Sequence, residues 1–214
     1  MNAFFEDLGS LADGLGMTLL MLLAAGAGSI LVGALVAVAR ISPLRVLRGA
    51  AFVYVQFFIN VPLLALLILA VFALPAAGFI LPIVPTAIIV LTTYESAYVA
   101  EALRSGVNTV PQGQIEAARA LGLTFGQSLR LVIVPQAFRA VVQPLGNIMI
   151  ALAMNTSLTA VVGVVELTAH VNKVNLVYAQ PVLFYTTGGL VYMGIALIIG
   201  LLAGRFERKL AIVR

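Results

Sequence analysis

Neither cysteine nor tryptophan occurs in the 214 residues, and histidine occurs once. Without cysteine there is no disulfide, no thiolate nucleophile and no thiolate metal ligand, and one histidine cannot assemble a multi-histidine site. Redox and most metal chemistry are excluded. Charge is equally scarce: 9% of residues are Asp, Glu, Lys or Arg, against about 25% in soluble domains, while 62% are apolar. There is no room for a soluble catalytic domain in such a composition. No GxxxxGK[ST] string occurs, so the chain cannot cradle nucleotide phosphates on a P-loop. The net charge of +4 is not the footprint of a nucleic-acid partner, because the basic residues stand between apolar runs rather than on one solvated face.

Long apolar runs are abundant. Five of them, over about 15–39, 50–74, 81–103, 136–154 and 182–204, are each long enough for a membrane crossing at about 20 residues per span. The expected fold is all-α and integral to the membrane, a single domain over 1–214 with five transmembrane helices. The first run stops at Arg40 and the Ser42-Pro43 turn signal. It is too long for a signal-peptide core and is preceded by Glu6, Asp7 and Asp13 rather than by basic residues, so the N-terminus is expected to stay. The second run contains Gln56, Asn60 and Pro62, and the third starts with Pro82 and Pro85.

Basic residues set the orientation. Arg40, Arg45 and Arg48 follow the first run, Arg104, Arg119, Arg130 and Arg139 surround the segment after the third, and Arg205, Arg208, Lys209 and Arg214 form the tail. Eleven of the twelve Lys and Arg thus fall on one side, with Lys173 on the other. The positive-inside rule places the N-terminus outside and the C-terminus in the cytoplasm.

The long cytoplasmic segment, 104–135, is punctuated as two short helices. Pro111 suits a first turn, Gly122 a C-terminal stop after Gln112 to Leu121, and Thr124 with Gln127 has capping-box spacing before a helix that Pro135 is expected to end. Ile115, Ala118, Leu121 and Gly122 share one face beside the i, i+3 pair Glu116 and Arg119, and that face is the expected docking surface.

Glu116-Ala117-Ala118, with Gly122 four residues after Ala118 and then Val132, Val134 and Pro135, resembles the EAA loop of ATP-binding-cassette importer permeases. The surrounding stretch AYVAEALRSGVNTVPQGQIEAARALGLTFGQSLRLVIVPQAFRAVVQPLGN, together with FINVPLL and NTSLTAVVGVVEL, is similar to the polar amino-acid branch, close to actinobacterial glutamate-uptake permeases. The resemblance implies a type I importer permease in a prokaryotic plasma membrane, moving polar or charged amino acids of glutamate type inward by alternating access. It implies partners: a cytoplasmic ATP-binding subunit dimer, a second permease subunit and an extracytoplasmic solute-binding protein reaching outer residues such as Val161 to Asn175. It implies that Glu116, Ala117, Ala118, Gly122 and Pro135 couple to the ATPase, and that this chain is no enzyme and holds no cofactor, ATP and Mg lying on the partner. Two residues depart from the family pattern: Ile59 stands where Arg is usual and Met154 where Lys is usual. Both absences favour a heterodimer whose other half carries the charges.

The remaining candidates are polar groups inside the runs. Glu95 lies mid-span, where an isolated carboxylate costs about 2.5 to 3.5 kcal/mol on insertion scales. Tyr94, Tyr98 and Glu101 share a helical face, whereas Glu95 is rotated toward Thr92, which predicts two separate interfaces. Glu95 or the Tyr98 face is a candidate for the translocation path and for an ammonium group; the alternative is an interhelical contact. Glu101 falls in a stretch that resembles the family's A-Y-x-A-E pattern, and that resemblance makes it a candidate for the cytoplasmic gate or a cytoplasmic salt bridge. Asn155, Thr156 and Ser157 either meet a polar solute or cap the fourth span. Gly146, Gly200 and Gly204 read as packing positions, and Glu166 with His170 as a helix-surface pair without a metal site. Two rivals predict different behaviour: a small ion-coupled carrier acting as a homo-oligomer, with Glu95 as its ion site, and a scaffold whose loop only anchors a partner.

Overall fold

In the computed structural model the described residues run from 8 to 210; Glu6, Asp7 and Arg214 lie outside them. Eight helices are present there: α1 (Leu8–Ile41), α2 (Arg45–Asn60), α3 (Leu63–Ala76), α4 (Ile83–Asn108), α5 (Gln112–Ala120), α6 (Phe125–Val162), α7 (Leu167–Tyr178) and α8 (Pro181–Leu210). No strand occurs among the described residues. Helices are what a chain must form where the bilayer offers its backbone no hydrogen-bond partners.

Four helices, α1, α4, α6 and α8, are each long and apolar enough to cross a membrane, and α2 with α3 supplies a fifth crossing when taken as one broken span. The expected second span, 50–74, is bent by 100° at that break. Pro62 is the cause: it has no N–H to continue the ladder and pushes Val61 into extended backbone at φ −101° and ψ 134°, so α2 stops at Asn60. The Asn60 side chain folds back to donate to the Gln56 carbonyl at 2.7 Å.

Pro135 behaves differently from the expected stop. The chain runs through it from Phe125 to Asn155 as one helix, because a π-helical turn over Leu129–Ile133 precedes it and the Val134 N–H reaches back to the Leu129 carbonyl. The wider turn absorbs the register error left by a residue that can neither donate nor tolerate the normal carbonyl beneath it. The same device recurs in α3, where Leu69–Ala73 forms a π turn just before Pro75.

Packing fixes the helix directions. Gly28 on α1 lies against Thr92 of α4, and Gly33 lies against Val99, where an added Cβ would sit 2.6 Å from the valine side chain. Two parallel helices approach this closely only because those positions are glycine. Gly106 near the end of α4 meets Val141 of α6, and Gly146 of α6 meets Ala203 of α8. Of the three expected packing glycines, Gly146 makes the close α6–α8 approach, Gly200 stands at ordinary contact distance from Ile150 of α6, and Gly204 is near only the Arg208 side chain of its own helix. These contacts gather the C-terminal ends of α1, α4 and α8 and the start of α6 at one end of the bundle, which is the end bearing Arg40, Arg104, Arg139 and Arg205. Lys173, on α7, lies at the other. The core between them is built on Met21, Leu67, Leu91, Leu152, Leu167 and Phe184, all buried.

Candidate functional site

Facing stripes of α4 and α6 enclose a recess of about 320 Å³ lined by Tyr94, Glu95, Tyr98, Asn147, Ile148, Ala151 and Asn155. Asn147, Ala151 and Asn155 recur every four residues and so stand in a row on α6, with the small Ala151 leaving space between two amides. Glu95 is 2% exposed, and its Oε1 accepts from Asn155 Nδ2 at 2.7 Å. Its second oxygen has no hydrogen-bond partner among the described residues. On the same helix and in the same lining, the Tyr94 and Tyr98 hydroxyls are 3.1 Å apart, one donating to the other. The expectation of two separate interfaces is overturned: Glu95 and the tyrosine face border one recess, because Asn155 on α6 draws the carboxylate toward the groove and away from Thr92, which packs on Gly28.

A second recess of about 410 Å³ continues from the first through their shared residues Tyr98 and Ile148, toward the cytoplasmic end. Ile59, Glu101, Ala140 and Pro144 are among its walls. Pro144 has no N–H to give the Ala140 carbonyl four residues earlier, which leaves an acceptor on this wall. Glu101 here is bound on both sides. Arg104 grips it through Nε, 3.1 Å from each carboxylate oxygen, and through Nη2, while Arg40 of α1 donates to Oε2 at 3.3 Å. Arg40 also lies over the Phe52 ring at 5.0 Å, so the cluster ties α1, α2 and α4 together. Of the two departures from the family pattern, Ile59 adds an apolar wall to this recess, and Met154 lines a separate outer recess of about 530 Å³ with Ser157, Thr168 and Tyr192.

The polar triplet that ends the α-helical part of α6 splits by role. Asn155 reaches Glu95, whereas Thr156 and Ser157 turn back onto the Ala153 and Met154 carbonyls, each at 2.7 Å, and start the 3₁₀ turn that runs to Val162. Thr156 is buried and spends its hydroxyl on that backbone bond.

Sequence reasoning did not single out Glu166 as a buried group. It caps α7 by accepting from the Ala169 N–H at 2.9 Å, and it also accepts from the Tyr192 hydroxyl at 2.5 Å and from Thr18 Oγ1 at 3.3 Å. Thr168 completes the network by donating to Tyr192. The only signal in the sequence was an acidic residue between an apolar stretch and Leu-Thr-Ala, a weak N-cap pattern. The expected surface pair with His170 does not form; Glu166 faces inward and binds α1 and α8 instead.

At the cytoplasmic end, α5 ends as its glycine predicts. Gly122 has φ +77°, its N–H bonds to the Arg119 carbonyl and the Leu123 N–H to Ala118, the paired bonds of a Schellman stop. Thr124 and Gln127 form both bonds of the capping box. The expected docking face is split between packing and exposure. Ala118 is 3% exposed and Ile115 packs beside Val110, Ile133 and Ala137, so this side of α5 holds the helix to the foot of α6. Glu116, Ala117, Leu121 and Gly122 are among the exposed residues, and Glu116 and Arg119 make no ion pair. An apolar stripe shared by a short helix and its own chain is buried first by that chain.

Among the described residues no group of three or more His, Cys, Asp or Glu is placed to hold a metal ion. Residues 29–212 match the model of the family described as binding-protein-dependent transport system inner membrane component. The chain is 37% identical to a probable glutamine ABC transporter permease protein of Bacillus subtilis, the match covering 86% of this chain and 89% of that one. It is 33% identical to a glutamate transport system permease protein of Corynebacterium glutamicum, covering 99% of both. A solved amino acid ABC transporter, crystallised with histidines, superposes with a TM-score of 0.91 at 30% identity over 96% of each chain. With the multi-pass helical fold, the family match and these relatives in agreement, this plasma-membrane chain belongs to the binding-protein-dependent transport system inner membrane components, on a branch with amino-acid ABC transporter permeases.

Proposed function

We propose that this chain forms one half of the pore of an ATP-driven amino-acid importer and passes a polar solute inward through the recesses between α4 and α6. One observation carries the reading: α6 runs without a break from the capping box beside α5 to Asn155, which holds Glu95. A displacement of α5 has a rigid route to the recess. Ile115 and Ala118 anchor α5 to the foot of α6, leaving Glu116, Ala117 and Gly122 free to meet a separate ATP-binding subunit. Closure of a pair of such subunits around ATP and Mg would then shift the balance between outward- and inward-open states, as any ligand does that prefers one of them.

In the recess, Glu95 receives the solute ammonium, and the tyrosine pair has one hydroxyl hydrogen left to donate to a carboxylate. Glu101, with its two arginines, holds the cytoplasmic end of α4 against α1 as a gate. Glutamate-type solutes are the expectation that the sequence resemblance carries, and relatives named for glutamine and glutamate support the broader class of polar amino acids. A second permease subunit completes the pore, with a heterodimer favoured by Ile59 and Met154. An extracytoplasmic solute-binding protein delivers to the outer surface formed by the Thr156–Val162 turn and α7, where Val161 and Leu176 are exposed.

The test is Glu116→Lys. Uptake by membrane vesicles should fall by about tenfold or more, and the ATP-binding subunit should no longer co-purify, while membrane insertion stays normal. Full uptake with an unchanged subunit yield would remove the coupling role, and uptake that survives ATP depletion would remove the importer.

A further inference from the structure

The lining of the α4–α6 recess carries one acidic group and no basic one. Glu95 is the single acidic residue among its seven walls, and none of them is basic. The adjoining recess adds Glu101 and again no lysine or arginine. Arg40 and Arg104, which reach Glu101 in the wall of that adjoining recess, are both committed to it. Where the family pattern has cations, this chain has Ile59, an apolar wall, and Met154, which faces a different recess. The partners near Glu95 are neutral: the Asn155 amide, the Asn147 amide and two tyrosine hydroxyls. Glu95 is thus a buried carboxylate with one oxygen tied to an amide and the other open.

Resting on the reading that this recess is a solute site, we infer that it sorts amino acids by side-chain charge, favouring a basic side chain over a neutral one and a neutral one over an acidic one. A zwitterionic amino acid offers its ammonium to Glu95 and its α-carboxylate to the tyrosine and asparagine donors. A basic side chain adds a second cation to a site whose one acid faces no base. A side-chain carboxylate adds a like charge with no base to receive it, and in a poorly solvated site like charges repel far more strongly than in water. The inference runs against the glutamate-type expectation while keeping the broader class of polar amino acids, because a solute of glutamate type needs a cation that this half of the pore does not present.

The experiment uses the complex that co-purifies with tagged chain from its native membrane, in detergent and without the solute-binding protein, so that delivery does not impose its own selectivity. Equilibrium binding of labelled arginine, glutamine and glutamate is measured for the native complex and for Glu95→Gln and Glu95→Asp, with co-purifying subunits as the control for assembly. Arginine should bind at least about tenfold more tightly than glutamate, with glutamine between them. Glu95→Gln should erase most of that discrimination, and Glu95→Asp, which keeps the charge, should retain it. Glutamate binding as tightly as arginine, discrimination that survives Glu95→Gln, or no solute held at all would each overturn the inference. Those outcomes leave the importer reading standing if vesicle uptake still requires ATP and Glu116. Loss of that requirement sinks the importer reading instead.

Discussion

Two buried carboxylates in this chain have opposite surroundings. Glu166 receives three donors from three helices, the Ala169 N–H, the Tyr192 hydroxyl and the Thr18 hydroxyl, and has no exposed surface. Glu95 receives one amide and opens its other oxygen to a recess. A fold that can satisfy one acid so completely has left the other short of partners. A buried charged group with unused hydrogen-bonding capacity is costly to keep for packing alone, and the contrast therefore separates an acid that holds helices together from one that is available to a solute.

The difference is broken most severely by removing the satisfied acid. Glu166→Ala deletes the cap of α7 and strands the Tyr192 hydroxyl in the interior, for an expected loss of about 3 kcal/mol, combining a lost cap with an unsatisfied buried donor. Thermal unfolding in detergent should show it as a clear drop in midpoint and poorer recovery of monodisperse protein. Adding Tyr192→Phe should return part of the loss, because taking away both partners costs less than stranding one. A native-like midpoint for Glu166→Ala would mean that the network does not hold α7 to α1 and α8.

Glu95→Gln sharpens the contrast from the other side. The amide keeps the volume and can still accept from Asn155, so stability should change by less than about 1 kcal/mol, in the range usual for a change that strands no buried partner. Solute discrimination should collapse. A variant that unfolds as readily as Glu166→Ala would make Glu95 a second structural acid and erase the distinction.

How much of this was legible in the sequence follows from the range of the interactions involved. The number of crossings, the basic side and the glycine stop at Gly122 depend on local pattern, which a sequence displays. Pro62 lies inside an expected span and Pro135 at the expected end of a helix, yet Pro62 breaks its helix and Pro135 does not; Ile133, in the π turn before Pro135, packs with Val110 just past the end of α4, a contact that no local pattern displays. Ala118 was placed on a docking surface because its face is apolar, and no spacing rule says whether such a face meets a partner or its own chain. Glu95 and Tyr98 were assigned to different interfaces by helical angle alone. Their union depends on Asn155, sixty residues away in sequence. The same distance in sequence hid the bonds that Thr18 and Tyr192 make with Glu166.

The smallest expected effect concerns Glu101, the third acid and the one compensated by charge rather than by neutral donors. Arg40 and Arg104 both reach it, and its side chain remains one-third exposed, so water screens whichever cation is left. Arg40→Gln should therefore lower stability by only about 0.5 kcal/mol, the range of partly exposed ion pairs, since Arg104 keeps its grip from the next turn of the same helix. Its functional effect should be larger than its structural one. Arg40 is the member of the cluster that comes from α1, so its loss frees the end of α4 from α1 without unfolding either. If that contact gates the cytoplasmic end, ATP hydrolysis by the purified complex should become less dependent on solute, rising in its absence. An unchanged dependence, with normal expression, would reduce the Arg40–Glu101 pair to a surface contact and leave Glu95 as the one acid on α4 with a transport role.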